Sequence, residues 1–174
     1  AMNIPGYRGT RLKAILSEAT GFFVAVENDV NCAALGEYWL GAGAGASSLA
    51  MLTLGAGVGG ALLVEGRIHH GAFGFAGEVG YLPLHGGSLE ARASTAALLR
   101  RVAEAKGLPV DAVDGEMVFA WAKAGDGIAC RALEDWLEAL AAGIAAVCCV
   151  MNPEMVIVGG GISAEAAYLR PRLL

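Results

Sequence analysis

The segment from Leu52 to Leu82, LTLGAGVGGALLVEGRIHHGAFGFAGEVGYL, constrains the fold more than any other part of this chain. Two apolar runs flank a loop containing Gly55, Ala56, Gly57, Gly59 and Gly60. A turn follows at Glu65-Gly66, and a glycine-rich stretch then delivers one carboxylate, Glu78. The pattern predicts strands over 48–54 and 60–64 joined as a hairpin, with an irregular glycine segment over 65–77. A loop with so few side chains near its backbone lets N–H groups approach an anion and form a concave nest. That is one way to hold a nucleotide phosphate, although the same glycines equally serve a tight turn. The Walker pattern would end in Gly-Lys-Ser/Thr, and a dinucleotide fold would open a helix after the last glycine. Neither occurs here.

A second feature lies upstream. Phe22-Phe23-Val24-Ala25-Val26-Glu27 reads as a buried strand running into Asn28-Asp29-Val30-Asn31 and a helix over 29–41. Asn or Asp at a strand end is commonly a helix N-cap, and Asp29 or Asn31 is expected to cap this one. The carboxyl end of a strand in an α/β sheet is also where ligands bind, so Asn28 and Asp29 are candidates to face a polar small molecule.

The remaining pattern alternates in the same way. Helices are predicted over 10–20, from Ser88 to Lys106, from Asp114 to Lys123, and from Gly125-Asp126 to about Val150. Short strands are predicted over 79–84 and 155–158, and a last helix is capped by Ser163. The apolar run from Ala139 to Met151 is too short for a membrane span and reads as a core helix. Cys32, Cys130, Cys148 and Cys149 show no CxxC spacing. Cys148 and Cys149 are expected to act as small buried hydrophobes, as in a reducing compartment. Nothing before Asn3 reads as a signal peptide, so a cytoplasmic setting is expected. With 56% apolar residues and a mean hydropathy of +0.55, the chain is expected to bury surface against a partner. The net charge of −5 and the lack of a basic stripe argue against direct nucleic-acid binding.

Taken together, ENDVN at 27–31, LTLGAGVGG at 52–60, HGAFGFAGEVGYLPL at 70–84, SLEARAS at 88–94 and NPEMVIVGGGIS at 152–163 resemble the ROK family, which contains bacterial sugar kinases and sugar-responsive repressors. The resemblance implies an α/β, ribonuclease H-like or actin-like ATPase fold of the hexokinase type. This chain would form the large C-terminal lobe of a two-lobe kinase, with residues 1–28 ending the sugar-binding small lobe and 29–174 carrying the nucleotide-binding segments. It further implies an ATP-dependent hexose or N-acetylhexosamine kinase, with Mg2+ arriving with the nucleotide, and a homodimer. By resemblance Asp29 is the catalytic base and Asn28, Glu78 and Glu90 bind sugar hydroxyls. Carboxylates suit that task, because each can accept hydrogen bonds from two adjacent hydroxyls. Gly55, Ala56, Gly57 and Gly59 match the phosphate loop, and Gly159, Gly160 and Gly161 the adenosine-binding segment. Glu90 would in any case suit the first turn of a helix, where the dipole favours an acid.

Three departures from the family pattern bear on activity. Zinc-containing members carry a histidine where this chain has Tyr81, and a cysteine-rich loop where it has His85-Gly86-Gly87-Ser88. Structural zinc needs four N or S ligands, so none is expected; His69 and His70 are expected in a loop near the sugar, and Tyr81 to offer its hydroxyl instead. Ala56 stands where the family usually has threonine, removing a hydroxyl from the phosphate loop. The family's N-terminal Asp-Ile-Gly-Gly-Thr-type phosphate loop and most of its small lobe lie outside this sequence, so the chain alone is expected to be inactive. The alternatives are a lobe of a sugar-sensing regulator and a non-catalytic dimerisation lobe.

Overall fold

The computed structural model describes residues 5–7 and 9–173; the residues ahead of Asn3 fall outside these. α1 (Leu12–Thr20) stops at Gly21, whose left-handed φ of 70° lets its N–H bond the Ser17 carbonyl. There follow α2 (Asp29–Leu40), the hairpin β1 (Ser48–Leu54) and β2 (Val58–Val64), a short β3 (Arg67–Ile68), and a two-strand ribbon of β4 (Pro83–Leu84) and β5 (Gly87–Ser88). Then come α3 (Leu89–Ala93), α4 (Thr95–Lys106), α5 (Gly115–Lys123), α6 (Gly127–Met151), β6 (Met155–Gly159) and α7 (Ala166–Leu173).

The main sheet runs β3-β2-β1-β6, with β1 antiparallel to β2 and parallel to β6. Side chains alternate across a strand, and β1 is buried on both faces. Leu49 and Met51 join Ala61 and Leu63 of β2 beneath Val30 and Ala34 of α2. Ala50, Leu52 and Leu54 face the larger core of Leu89, Leu98, Phe119, Leu133, Trp136 and Leu140. At about 1.5–3 kcal/mol for each large apolar side chain buried, this second layer is the main source of stability. Because β1 and β6 are parallel, their carboxyl ends lie at one edge, and the glycines that follow each strand meet there. A Cβ on Gly160 (φ 100°) would sit 2.2 Å from the Leu54 carbonyl.

Helix ends follow local chemistry. Asp114 accepts the Met117 N–H, Asp126 accepts the Ile128 and Ala129 N–H groups, and Gly107 closes α4 at φ 65°. Among the described residues no helix is long and apolar enough to cross a membrane.

Several expectations are corrected. Residues 22–27 form no strand, and Phe22 and Phe23 are 76% and 89% exposed. Apolar composition favours burial, yet a strand needs a partner to complete its hydrogen bonds, and among the described residues none pairs with this run. Residues 79–81 form a 3-10 turn, with the Leu82 N–H bonding the Val79 carbonyl, and only Pro83–Leu84 is strand. Gly80 lies close against β2, where a Cβ would meet the Val58 carbonyl at 2.3 Å. The helix predicted from Ser88 to Lys106 breaks at Ser94, which adopts an extended conformation (φ −70°, ψ 155°) and caps α4 through the Ala97 N–H. Its carbonyl is held by the indole N–H of the fully buried Trp136 at 3.1 Å. Ser163 donates to the Gly160 carbonyl inside a 3-10 turn instead of capping a helix. The end of α6 is not fully covered: Val150 and Cys149 are exposed and Cys148 only half-buried, against the expectation that both cysteines are buried.

Candidate functional site

A cleft of about 470 Å³ opens at the carboxyl edge of the sheet. It collects Asn28, Asp29, the loop 53–60, Glu78, Glu90, Gly160 and Gly161 from five separated stretches of sequence. A second cavity of about 720 Å³ adjoins it, sharing Leu54, Gly55 and Gly161 and continuing to Thr95, Asp114, Lys123 and Glu165.

Asn28, not Asp29 or Asn31, caps α2. Its Oδ1 accepts the N–H groups of Val30 (2.9 Å) and Asn31 (3.1 Å). Those two donors fix the amide orientation, so Nδ2 is left as a donor for a ligand. Asp29 at the first helical position is exposed and bonds only its neighbour's N–H at Val30 (3.0 Å). The capping work done by Asn28 leaves the Asp29 carboxylate available for chemistry. Asn31 is instead buried, and its Nδ2 donates to Glu27.

Glu78 begins the 3-10 turn and is exposed, with no side-chain partner among the described residues. Glu90, in the first turn of α3, is tied back to the hairpin by the Val58 N–H on its Oε2 (3.1 Å). This bond is a link that the pattern in the sequence does not reveal. Tyr81 is 63% exposed and stacks on Phe75, with ring centroids 5.7 Å apart; it lines neither cavity.

The glycines of the hairpin divide into two groups. A Cβ on Gly57 would lie 2.3 Å from Glu90 Oε2, one on Gly59 2.6 Å from Val30 Cγ2, and one on Gly60 2.3 Å from the Gly77 carbonyl. These three admit their own neighbours. Gly55 and Gly161 have nothing within 4 Å of a Cβ, and both border both cavities. They are the positions where a ligand can lie against bare backbone. The Gly55 N–H is committed to the Gly57 carbonyl, and no glycine from 55 to 60 has a positive φ. The expected nest is therefore reduced to the N–H groups of Ala56 and Gly57, which have no partner among the described residues. Gly159 lies within β6, and a Cβ there would meet Met51 Cε at 3.1 Å; it borders neither cavity.

The first cleft is acidic. Asp29, Glu78 and Glu90 line it, and no Lys, Arg or His does among the described residues. In the second cavity Lys123 is paired with Glu165 at 2.7 Å, beside Asp114 and Glu116. Reading the sequence missed this second chamber: Asp114 and Lys123 signalled only helix ends, and their convergence with Glu165 depends on packing across α5 and the turn after β6. Among the described residues no group of three or more His, Cys, Asp or Glu is gathered to hold a metal ion.

The ROK family model matches residues 1–173. The chain belongs to the ROK family. It is 36% identical over 194 residues to a glucokinase of Halalkalibacterium halodurans, an alignment that covers 98% of this chain and 58% of that protein. Among solved structures it is similar to a ROK hexokinase from Thermus thermophilus, with a TM-score of 0.85 and 36% identity over 93% of this chain and 59% of that one. It is also similar to a ROK glucokinase from Streptomyces griseus in complex with glucose and AMPPNP, at TM-score 0.81 and 31% identity over 93% and 60% of the two chains. A ROK transcriptional regulator, a homologue of the E. coli MLC protein, matches at TM-score 0.80 and 28% identity over 93% and 45%. The chain thus spans less than two thirds of the length of each of these proteins. Its mixed α/β architecture is that of the actin-like ATPase fold of these kinases.

Proposed function

We propose that this chain is the large lobe of an ATP-dependent sugar kinase acting on a hexose or N-acetylhexosamine, with residues 29–174 forming the lobe and 1–28 leading into it from the sugar-binding small lobe. The observation that carries the reading is the cleft itself: a free carboxylate at Asp29 opposite a glycine loop with two unpartnered N–H groups, between Asn28, Glu78 and Glu90. Asn28 Nδ2, Glu78 and the free oxygen of Glu90 hold sugar hydroxyls. Asp29 orients the reacting hydroxyl and accepts its proton. The Ala56 and Gly57 N–H groups face the phosphate being transferred, and the backbone at Gly55 and Gly161 lies against the nucleotide, whose base end extends into the second cavity. Phosphoryl transfer depends mainly on such positioning and charge stabilisation. Among the described residues the cleft offers no cation to the phosphates, which fits a donor that arrives with Mg2+; the metal would supply charge neutralisation at the phosphates. Two copies are proposed to associate through exposed apolar surface such as Trp39, Leu40 and Val150.

The test is Asp29→Asn in the full-length protein. Turnover is expected to fall by about 10²–10⁴. Stability should move by under about 1 kcal/mol, because Asn28 and not Asp29 caps α2. Ala56 and the similarity to a ROK regulator favour a second reading, a lobe that binds sugar without phosphorylating it. Intact turnover in Asp29→Asn, or sugar binding with no phosphorylation in the unsubstituted protein, would replace the kinase reading with this one.

A further inference from the structure

Glu27 and His70 belong to neither wall of the cleft, yet they connect two of the five stretches of sequence that build it. Glu27 immediately precedes Asn28 and Asp29. Its Oε1 accepts the Asn28 N–H (2.8 Å) and the Nδ2 of buried Asn31 (2.9 Å), while its Oε2 meets His70 Nε2 at 2.7 Å. These donors, Asn31 foremost, then the Asn28 N–H and His70, hold the Glu27 carboxyl down to about 2, so it stays an anion at any working pH. His70 heads the glycine-rich segment that delivers Glu78. That segment is tied to itself by the Ala76 N–H on the His70 carbonyl and the Glu78 N–H on the Phe75 carbonyl. Left-handed glycines at 71, 74 and 77 (φ 70°, 69° and 90°) give it little inherent stiffness. The His70 imidazole is its one side-chain hydrogen bond to the segment carrying Asn28 and Asp29 among the described residues.

We propose that the Glu27–His70 pair is a positioning clamp that sets the Glu78 arm of the sugar site in register with the Asn28–Asp29 arm. This rests on the sugar-site reading above. A pair with side chains 53% and 32% exposed contributes little to global stability, so its effect is geometric. Glu27 fixes the direction in which the chain enters α2, and His70 gives the glycine segment one anchor against that same carboxylate. A carboxylate takes three donors without strain, and an imidazole N–H donates to it whether or not the ring is charged. The clamp therefore needs no change of protonation.

The experiment uses the full-length protein and three variants, Glu27→Ala, His70→Phe and His70→Gln. Phe keeps a flat ring without a donor, whereas the Gln amide can still donate to Glu27. His70→Phe and Glu27→Ala are expected to raise the KM for sugar about ten- to hundred-fold, leaving the KM for nucleotide within about twofold. His70→Gln should restore most of the loss. Hydrogen exchange supplies a reading independent of activity: His70→Phe should speed exchange at residues 28–31, and Glu27→Ala should speed it at 70–80. The proposal is overturned if both KM values rise together with a falling thermal midpoint, if His70→Phe leaves the sugar KM unchanged, or if exchange changes only in the substituted segment. Reciprocal exchange in a protein that phosphorylates no sugar would leave the clamp standing and remove the kinase reading alone.

Discussion

Gly57→Ala separates two reasons for a glycine in the hairpin loop. The residue has no positive φ, so alanine meets no backbone strain. The added Cβ would lie 2.3 Å from Glu90 Oε2, well inside van der Waals contact, and the carboxylate must swing away. Doing so breaks its bond from the Val58 N–H at 3.1 Å. Hydrogen bonds to charged groups contribute roughly 1.5–3 kcal/mol, and the exposure of Glu90 places this one at the low end, about 1.5 kcal/mol. Against this, alanine loses less chain entropy on folding, a gain of about 0.4–1 kcal/mol. The net cost expected is about 0.5–1 kcal/mol, or a thermal midpoint lowered by roughly 1–4 °C for a chain of this length. The same substitution in a Glu90→Ala background has no carboxylate to displace and should stabilise by about 0.4–1 kcal/mol. Urea unfolding of the four proteins then gives a coupling of about 1.5 kcal/mol between positions 57 and 90. A coupling below about 0.5 kcal/mol, within the error of additivity, would refute the argument that Glu90 is what demands glycine there.

Other outcomes follow from the same structure. Trp136→Phe keeps most of the ring but removes one of two donors to the buried Ser94 carbonyl, which keeps the Leu98 N–H at 3.2 Å, and should cost about 0.5–1.5 kcal/mol by urea unfolding; no measurable loss would show that the indole adds nothing beyond the Leu98 bond. The depressed Glu27 carboxyl contributes stability that is fully present above its ordinary value of 4.5 and is lost as pH falls toward about 2. Glu27→Gln should therefore flatten the fall in thermal midpoint across that acid window, and an unchanged slope would contradict the hydrogen bonds assigned to Glu27. Elemental analysis of protein purified without chelator should find well under one zinc per chain, because Tyr81 and the short His85–Ser88 loop do not supply the four N or S ligands a structural zinc needs; a stoichiometric zinc would overturn that reading.

Local chemistry was legible in the sequence because its causes lie within a few residues. Gly21 and Gly107 stop helices by adopting left-handed φ, Asp114 and Asp126 start them by accepting nearby N–H groups, and the strand–loop–strand pattern over 48–64 needed only two apolar runs and glycine. The motifs spread along the chain likewise carried the family, since side-chain identity at a spacing survives without knowledge of packing. Tertiary structure decided what those glycines and polar groups contact. That Gly57 yields to Glu90, Gly59 to Val30 and Gly60 to Gly77 depends on approaches between segments far apart in sequence. So does the use of the Val58 N–H by Glu90, which among the described residues leaves two loop N–H groups open, and the pairing of Glu27 with His70 across 43 residues. The run 22–27 shows the limit from the other side. Its apolar pattern encodes a preference for burial, but whether a strand forms depends on a neighbour to complete its hydrogen bonds, and a sequence pattern does not specify one.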